Sequence, residues 1–146
     1  MPVYSADEDS FWRVEAPPED AAQWLHDMVQ SRLGAQAVGW QSATFPMGKP
    51  SDEDIPVVAL LYIPPGHVLP CHTHDCYRVE VMLQGTLHMG DRVLRAGDVW
   101  TSEAGEFYGP HVAGPTGSLS VEIFASSKGS KSRTPEGARV DLSVNA

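Results

Sequence analysis

Residues 66–85 read GHVLPCHTHDCYRVEVMLQG. The stretch opens and closes on glycine, carries His72-Thr73-His74, and ends in a run where Val79, Val81 and Leu83 take alternate positions. On an extended strand, residues i and i+2 point to the same side, about 6.6 Å apart. Two imidazoles so placed can turn onto one ion at about 2.0–2.2 Å each. On a helix the same pair would splay, because i and i+2 do not face each other. The strand reading and the metal reading therefore support each other. Taken alone, the pair reads equally well as two surface or turn histidines.

Outward from this stretch the chain is punctuated by turns. Gly85, Gly90-Asp91 and Gly97-Asp98 separate expected strands at Val68–His74, Arg78–Gln84, Thr86–Met89, Arg92–Leu94, Val99–Thr101 and Leu119–Phe124. Upstream, Val57–Ile63 reads as a buried strand closed by Pro64-Pro65-Gly66. It follows a polar loop over 46–56 and a strand over Val38–Phe45. One helix is expected, over 18–33. Pro17-Pro18-Glu19-Asp20 suit its first turn, Trp24, Leu25, Met28, Val29 and Leu33 recur at helical spacing, and Gly34 stops it. Residues 1–16 read as an N-terminal arm, and 126–146 as a polar, mobile tail in which Val140 and Leu142 could pair as a last strand. Many short strands at regular spacing predict an all-β sandwich or barrel. The 146 residues fit one domain.

A formal net charge of −9 argues against a nucleic-acid or anionic-membrane partner. The longest apolar run, Val57–Ile63, is too short to span a bilayer. The first residues lack the basic and apolar regions of a secretory leader. Cys71 and Cys76 are the only cysteines and make no disulfide framework. A soluble protein of the cytoplasm, acting on a small molecule, is the expectation.

At this point the chain resembles the cupin superfamily of small RmlC-like jelly-roll barrels. That family's first motif is a glycine, five residues, H-x-H, three or four residues, a glutamate, six residues and a glycine. Residues 66–85 follow it except at the glutamate. The second motif opens near Gly-Asp and ends on histidine, and is matched more loosely by GDVWTSEAGEFYGPH, residues 97–111. The likeness covers residues 57–125. It implies a double-stranded β-helix (jelly-roll) barrel, His72, His74 and His111 as three ligands of one divalent metal, and a homodimer.

Where the family places its glutamate, this chain has Arg78, and Glu80 follows two residues later, one pleat along the same strand face. Either Glu80 ligates the ion through a shifted loop, or the site holds three neutral imidazoles with Glu80 behind them, paired with Arg78. The second reading is preferred; a solvated surface pair is the bland alternative. Three neutral ligands leave the ion its full +2 charge, which favours anionic chelates, and leave about three positions open. The missing glutamate resembles the three-histidine iron dioxygenases that cleave β-diketones such as acetylacetone. That likeness implies Fe(II), with Zn, Ni or Mn as other candidates, and gives Arg78, Glu80 and Tyr108 substrate-handling roles. A zinc- or nickel-binding module without catalysis, similar to the cupin half of anti-sigma factors, is the alternative. Cys76 continues the His72–His74 alternation but reads better as a small buried hydrophobe. Glu103 and Glu106 are candidates for a ligand's hydrogen-bond partner or plain loop acids. His26, His67 and His88 read as ordinary loop, surface or core residues.

Overall fold

The computed structural model describes residues 41–49 and 51–135, and all regular structure among them is β. Nine strands run in order: β1 (Gln41–Pro46), β2 (Val57–Ile63), β3 (Val68–Leu69), β4 (Thr73–His74), β5 (Arg78–Met89), β6 (Arg92–Arg95), β7 (Val99–Ser102), β8 (His111–Phe124) and β9 (Ser132–Arg133). One sheet has the order β1-β2-β8-β5-β6, with β3 added to β8 and β7 to β5, while β4 and β9 form a separate pair. The expected helix over 18–33, the arm over 1–16 and the last strand at Val140 and Leu142 lie outside the described residues.

Four strand expectations are corrected. Gly85 does not end a strand; β5 runs through it, with register shifts against β8 on either side. Gly85 has a φ of +71°, and a Cβ there would strike the Gly117 carbonyl oxygen on β8. This is therefore a bulge that only glycine fits. Strand β8 begins at His111 rather than Leu119 because Gly114, Pro115 and Gly117, which read as breakers, are carried within it. The stretch 68–74 is two short strands, not one. The tail expected to be mobile instead hooks back over 126–135: β9 pairs with β4, and Arg133 bridges Asp75 at 3.0 Å.

Register carries residues distant in sequence into rows. Val57, Phe124, Arg78 and Ser102 face one another across β2, β8, β5 and β7, and the next inward row is Ala59, Glu122, Glu80 and Trp100. Apolar side chains flank these rows in two clusters: Ile55, Val57, Ala59, Cys76 and Phe124, and then Leu61, Ile63, Met82, Leu87 and Ala113. Arg78, Ser102, Glu80 and Glu122 thus lie inside the fold, in rows they share with core residues.

Candidate functional site

His72 and His74 flank the start of β4, both buried. Their rings meet edge to face at a centroid distance of 5.3 Å. His72 Nδ1 lies 2.7 Å from the Pro70 carbonyl oxygen, and His74 Nδ1 lies 2.8 Å from that of Ser130. A carbonyl only accepts, so each Nδ1 carries the hydrogen and, in the neutral ring, each Nε2 keeps its lone pair on the opposite side. Two rings sharing an ion at about 2.1 Å have centroids about 5 Å apart, close to this spacing. Burial holds His74 far below the usual histidine range, at about 3, against the pull of Glu122. The ring is therefore neutral at physiological pH.

His111 begins β8, 2 % exposed, and burial lowers it to about 4. Its approach is built by Gly109, where φ is +96° and a Cβ would crowd the Cys71 backbone at 3.2 Å. The Tyr108 ring brings the three histidines together. It stands 4.7 Å from His72, 6.3 Å from His74 and 5.7 Å from His111. Backbone bonds fix it there: His72 N donates to Tyr108 O at 3.0 Å, and Tyr108 N donates to His72 O at 3.1 Å. The imidazoles thus share one interior region. As the side chains stand, no three His, Cys, Asp or Glu among the described residues form a closed metal-holding group. The donor chemistry of His72 and His74 fits a divalent ion, and His111 lies across the same tyrosine.

Arg78 and Glu80 are not a solvated pair. They are 3 % and 4 % exposed, and Arg78 Nη1 reaches Glu80 at 2.7 Å and Glu122 at 2.5 Å. The two carboxylates outweigh the burial that works against the arginine's charge, so Arg78 stays charged. Burial, aided by Glu122, holds Glu80 well above the usual carboxylate range. The guanidinium also sits 4.1 Å over the Trp100 ring and 4.6 Å over Tyr108. Burial raises the Tyr108 hydroxyl above the usual phenol range. That hydroxyl lies beside Ser102, with no hydrogen bond of normal geometry.

Glu122 and Trp100 have places here that the sequence reading did not give them. Glu122 was not singled out. The available signal was alternation: Ser118, Ser120 and Glu122 hold the inward positions of β8 while Leu119, Val121 and Ile123 face out. Other candidates lie elsewhere. Cys76 is in the apolar core, its thiol raised by burial. Glu106 caps the backbone N–H of Glu103 at 2.9 Å, and His88 is exposed.

Comparison with protein-family models finds no match, nor does comparison with curated proteins. Solved structures do match. An RmlC-like cupin protein of Ralstonia eutropha JMP134 superposes with a TM-score of 0.50 at 17% identity, over 69% of this chain and 64% of that one. The fold is a cupin fold. A deletion mutant of Bacillus subtilis oxalate decarboxylase OxdC aligns at a TM-score of 0.55 and 15% identity, over 66% of this chain and 28% of that one. The complex of Rhodobacter sphaeroides SigE with the anti-sigma ChrR aligns at 0.50 and 22%, over 59% and 44%. The chain therefore spans less than two thirds of each of these chains, and identities this low establish the fold alone.

Proposed function

We propose that this cupin binds one divalent metal ion through His72, His74 and His111, and that with Fe(II) it is a dioxygenase acting on a small chelating substrate such as a β-diketone. The observation that carries the reading is the pair of Nδ1–H bonds from two buried imidazoles to the Pro70 and Ser130 carbonyls, which set each Nε2 on the opposite side of its ring. When bound, the ion would supply a Lewis-acid and redox centre for a chelating oxygen substrate and dioxygen. The chain's own groups do the rest. Arg78, held by Glu80 and Glu122, keeps a fixed positive charge beside the histidines. Glu80, with its raised affinity for a proton, can take the one a substrate loses on forming its enolate. Tyr108 stands against all three rings, where its hydroxyl can reach a substrate oxygen.

The test is oxygen uptake by the iron-loaded protein across a panel of diketones. Turnover that is lost in Tyr108→Phe or Arg78→Met, with metal still bound, supports the assignment. No turnover on any diketone, with zinc or nickel held tightly, replaces it with the non-catalytic metal module. The open arrangement of the three histidines favours a second reading, a metal-free site run by the Glu80–Arg78–Glu122 group. The absence of stoichiometric metal after anaerobic purification would select it.

A further inference from the structure

Buried polar atoms are nearly always hydrogen-bonded, and a cluster of exceptions calls for an occupant. Arg78 Nη2, Trp100 Nε1, Tyr108 Oη and His111 Nδ1 are buried without a partner. Their side chains form one contiguous group. Arg78 lies over Trp100 and Tyr108, and Trp100 meets Tyr108 at 4.9 Å and His111 at 5.5 Å. Two of the four atoms can only donate: the guanidinium nitrogen and the indole N–H. The hydroxyl and the imidazole can donate or accept. An occupant that satisfies the group must therefore accept at least two hydrogen bonds, which two oxygen atoms of one ligand can do. Edge-to-face ring separations of about 5 Å are direct contacts, so an occupant lies beside these rings rather than between them.

Charge narrows the class further. The Arg78 guanidinium is already matched by Glu80 and Glu122 on its Nη1. No free positive charge remains in the group to balance a dianion, and burying unmatched charge is costly. Trp100 is half-buried, so the group is not sealed from solvent.

We propose that the interior beside the contacting Arg78, Trp100 and Tyr108 side chains is a subsite for a small ligand with two oxygen acceptors and at most one negative charge, recognised by the Trp100 indole N–H and Arg78 Nη2. The proposal deepens the reading of this interior as the substrate site, but it does not depend on a bound ion.

The four tryptophans of the full-length chain give four indole N–H signals in a ¹H–¹⁵N spectrum, and Trp100→Phe identifies one by its loss. If that variant does not fold, Phe variants of Trp12, Trp24 and Trp40 identify it by elimination. The labelled protein is titrated with acetylacetone, with malonate as a dianion, and with pentan-2-one as a single-oxygen control. Each titration is run in chelator and again after a divalent ion is added. The Trp100 signal is expected to shift saturably with acetylacetone in chelator, with malonate and pentan-2-one binding more weakly. Trp100→Phe is expected to weaken acetylacetone binding about three- to tenfold, the loss of one hydrogen bond. A Trp100 signal that acetylacetone leaves unmoved in both conditions means that water alone fills the group, and overturns the proposal. Malonate binding more tightly than acetylacetone in chelator overturns the charge limit. A persistent shift in a protein that binds no metal overturns only the metal reading.

Discussion

Arg78 holds two buried carboxylates on one nitrogen, so its removal leaves Glu80 and Glu122 facing each other without a counter-charge. Arg78→Met is expected to lower unfolding stability by about 3–5 kcal/mol at neutral pH; a loss under 1 kcal/mol in urea denaturation would contradict that. Glu80 gives a pH signature. Its folded proton affinity exceeds the unfolded value of 4.5, so the folded state binds the proton more tightly. The resulting stabilisation is complete below pH 4.5 and is lost as pH rises toward 7. Glu80→Gln is expected to flatten that part of the stability–pH curve, and an unchanged slope would show that Glu80 titrates normally. His72, His74, Arg78 and Glu80 were legible in the sequence because strand alternation fixes their relative faces locally. Glu122 was not, because it reaches Arg78 only through the pairing of β5 with β8, 44 residues apart.

At the scale of elements, a continuous apolar run located β2, and short stretches between turn residues located most of β6 and β7, because these signals need only neighbouring residues. They failed where glycine serves a close approach rather than a turn. Gly85 was read as a strand end, yet the chain passes through it pressed against Gly117. Gly85→Ala is expected to cost about 2 kcal/mol or more in thermal or urea unfolding, from backbone strain and the displaced β8 strand. The tail was misread because SSKGSKSRTPEG has few apolar residues, whereas its hold on the barrel is made by backbone groups and small side chains. Ser130 O receives the His74 Nδ1–H, and a Cβ on Gly129 would press on the Asp75 carbonyl and the Cys76 Cβ at 2.6 Å. Gly129→Ala should therefore lift the tail from β4 and loosen His74. The expected result is metal affinity lower by about tenfold in a competition titration, with the barrel still folded. Unchanged affinity would detach the tail from the site.

Across the whole molecule, the polarity of the central strands is inverted relative to a simple core. Arg78, Glu80 and Glu122 point inward, while Ile123 and Val99 on the same sheet are exposed. Burial of charge is tolerated because the charges satisfy one another, and burial keeps His74 and His111 beside them neutral. The cupin fold was legible from the glycine and histidine spacing of residues 66–85, a pattern dense enough to survive where family models find nothing. What joins the distant imidazoles was less legible, since the Tyr108 backbone bridge to His72 is a non-local pairing. The proposed chemistry depends on those imidazoles acting as one ligand set. The most direct measurement is elemental analysis of anaerobically purified protein beside His72→Ala, His74→Ala and His111→Ala variants whose folding is verified by circular dichroism. The account predicts about one divalent ion per chain in the wild type and none in any variant. Full occupancy in His111→Ala, or none in the wild type, would contradict it.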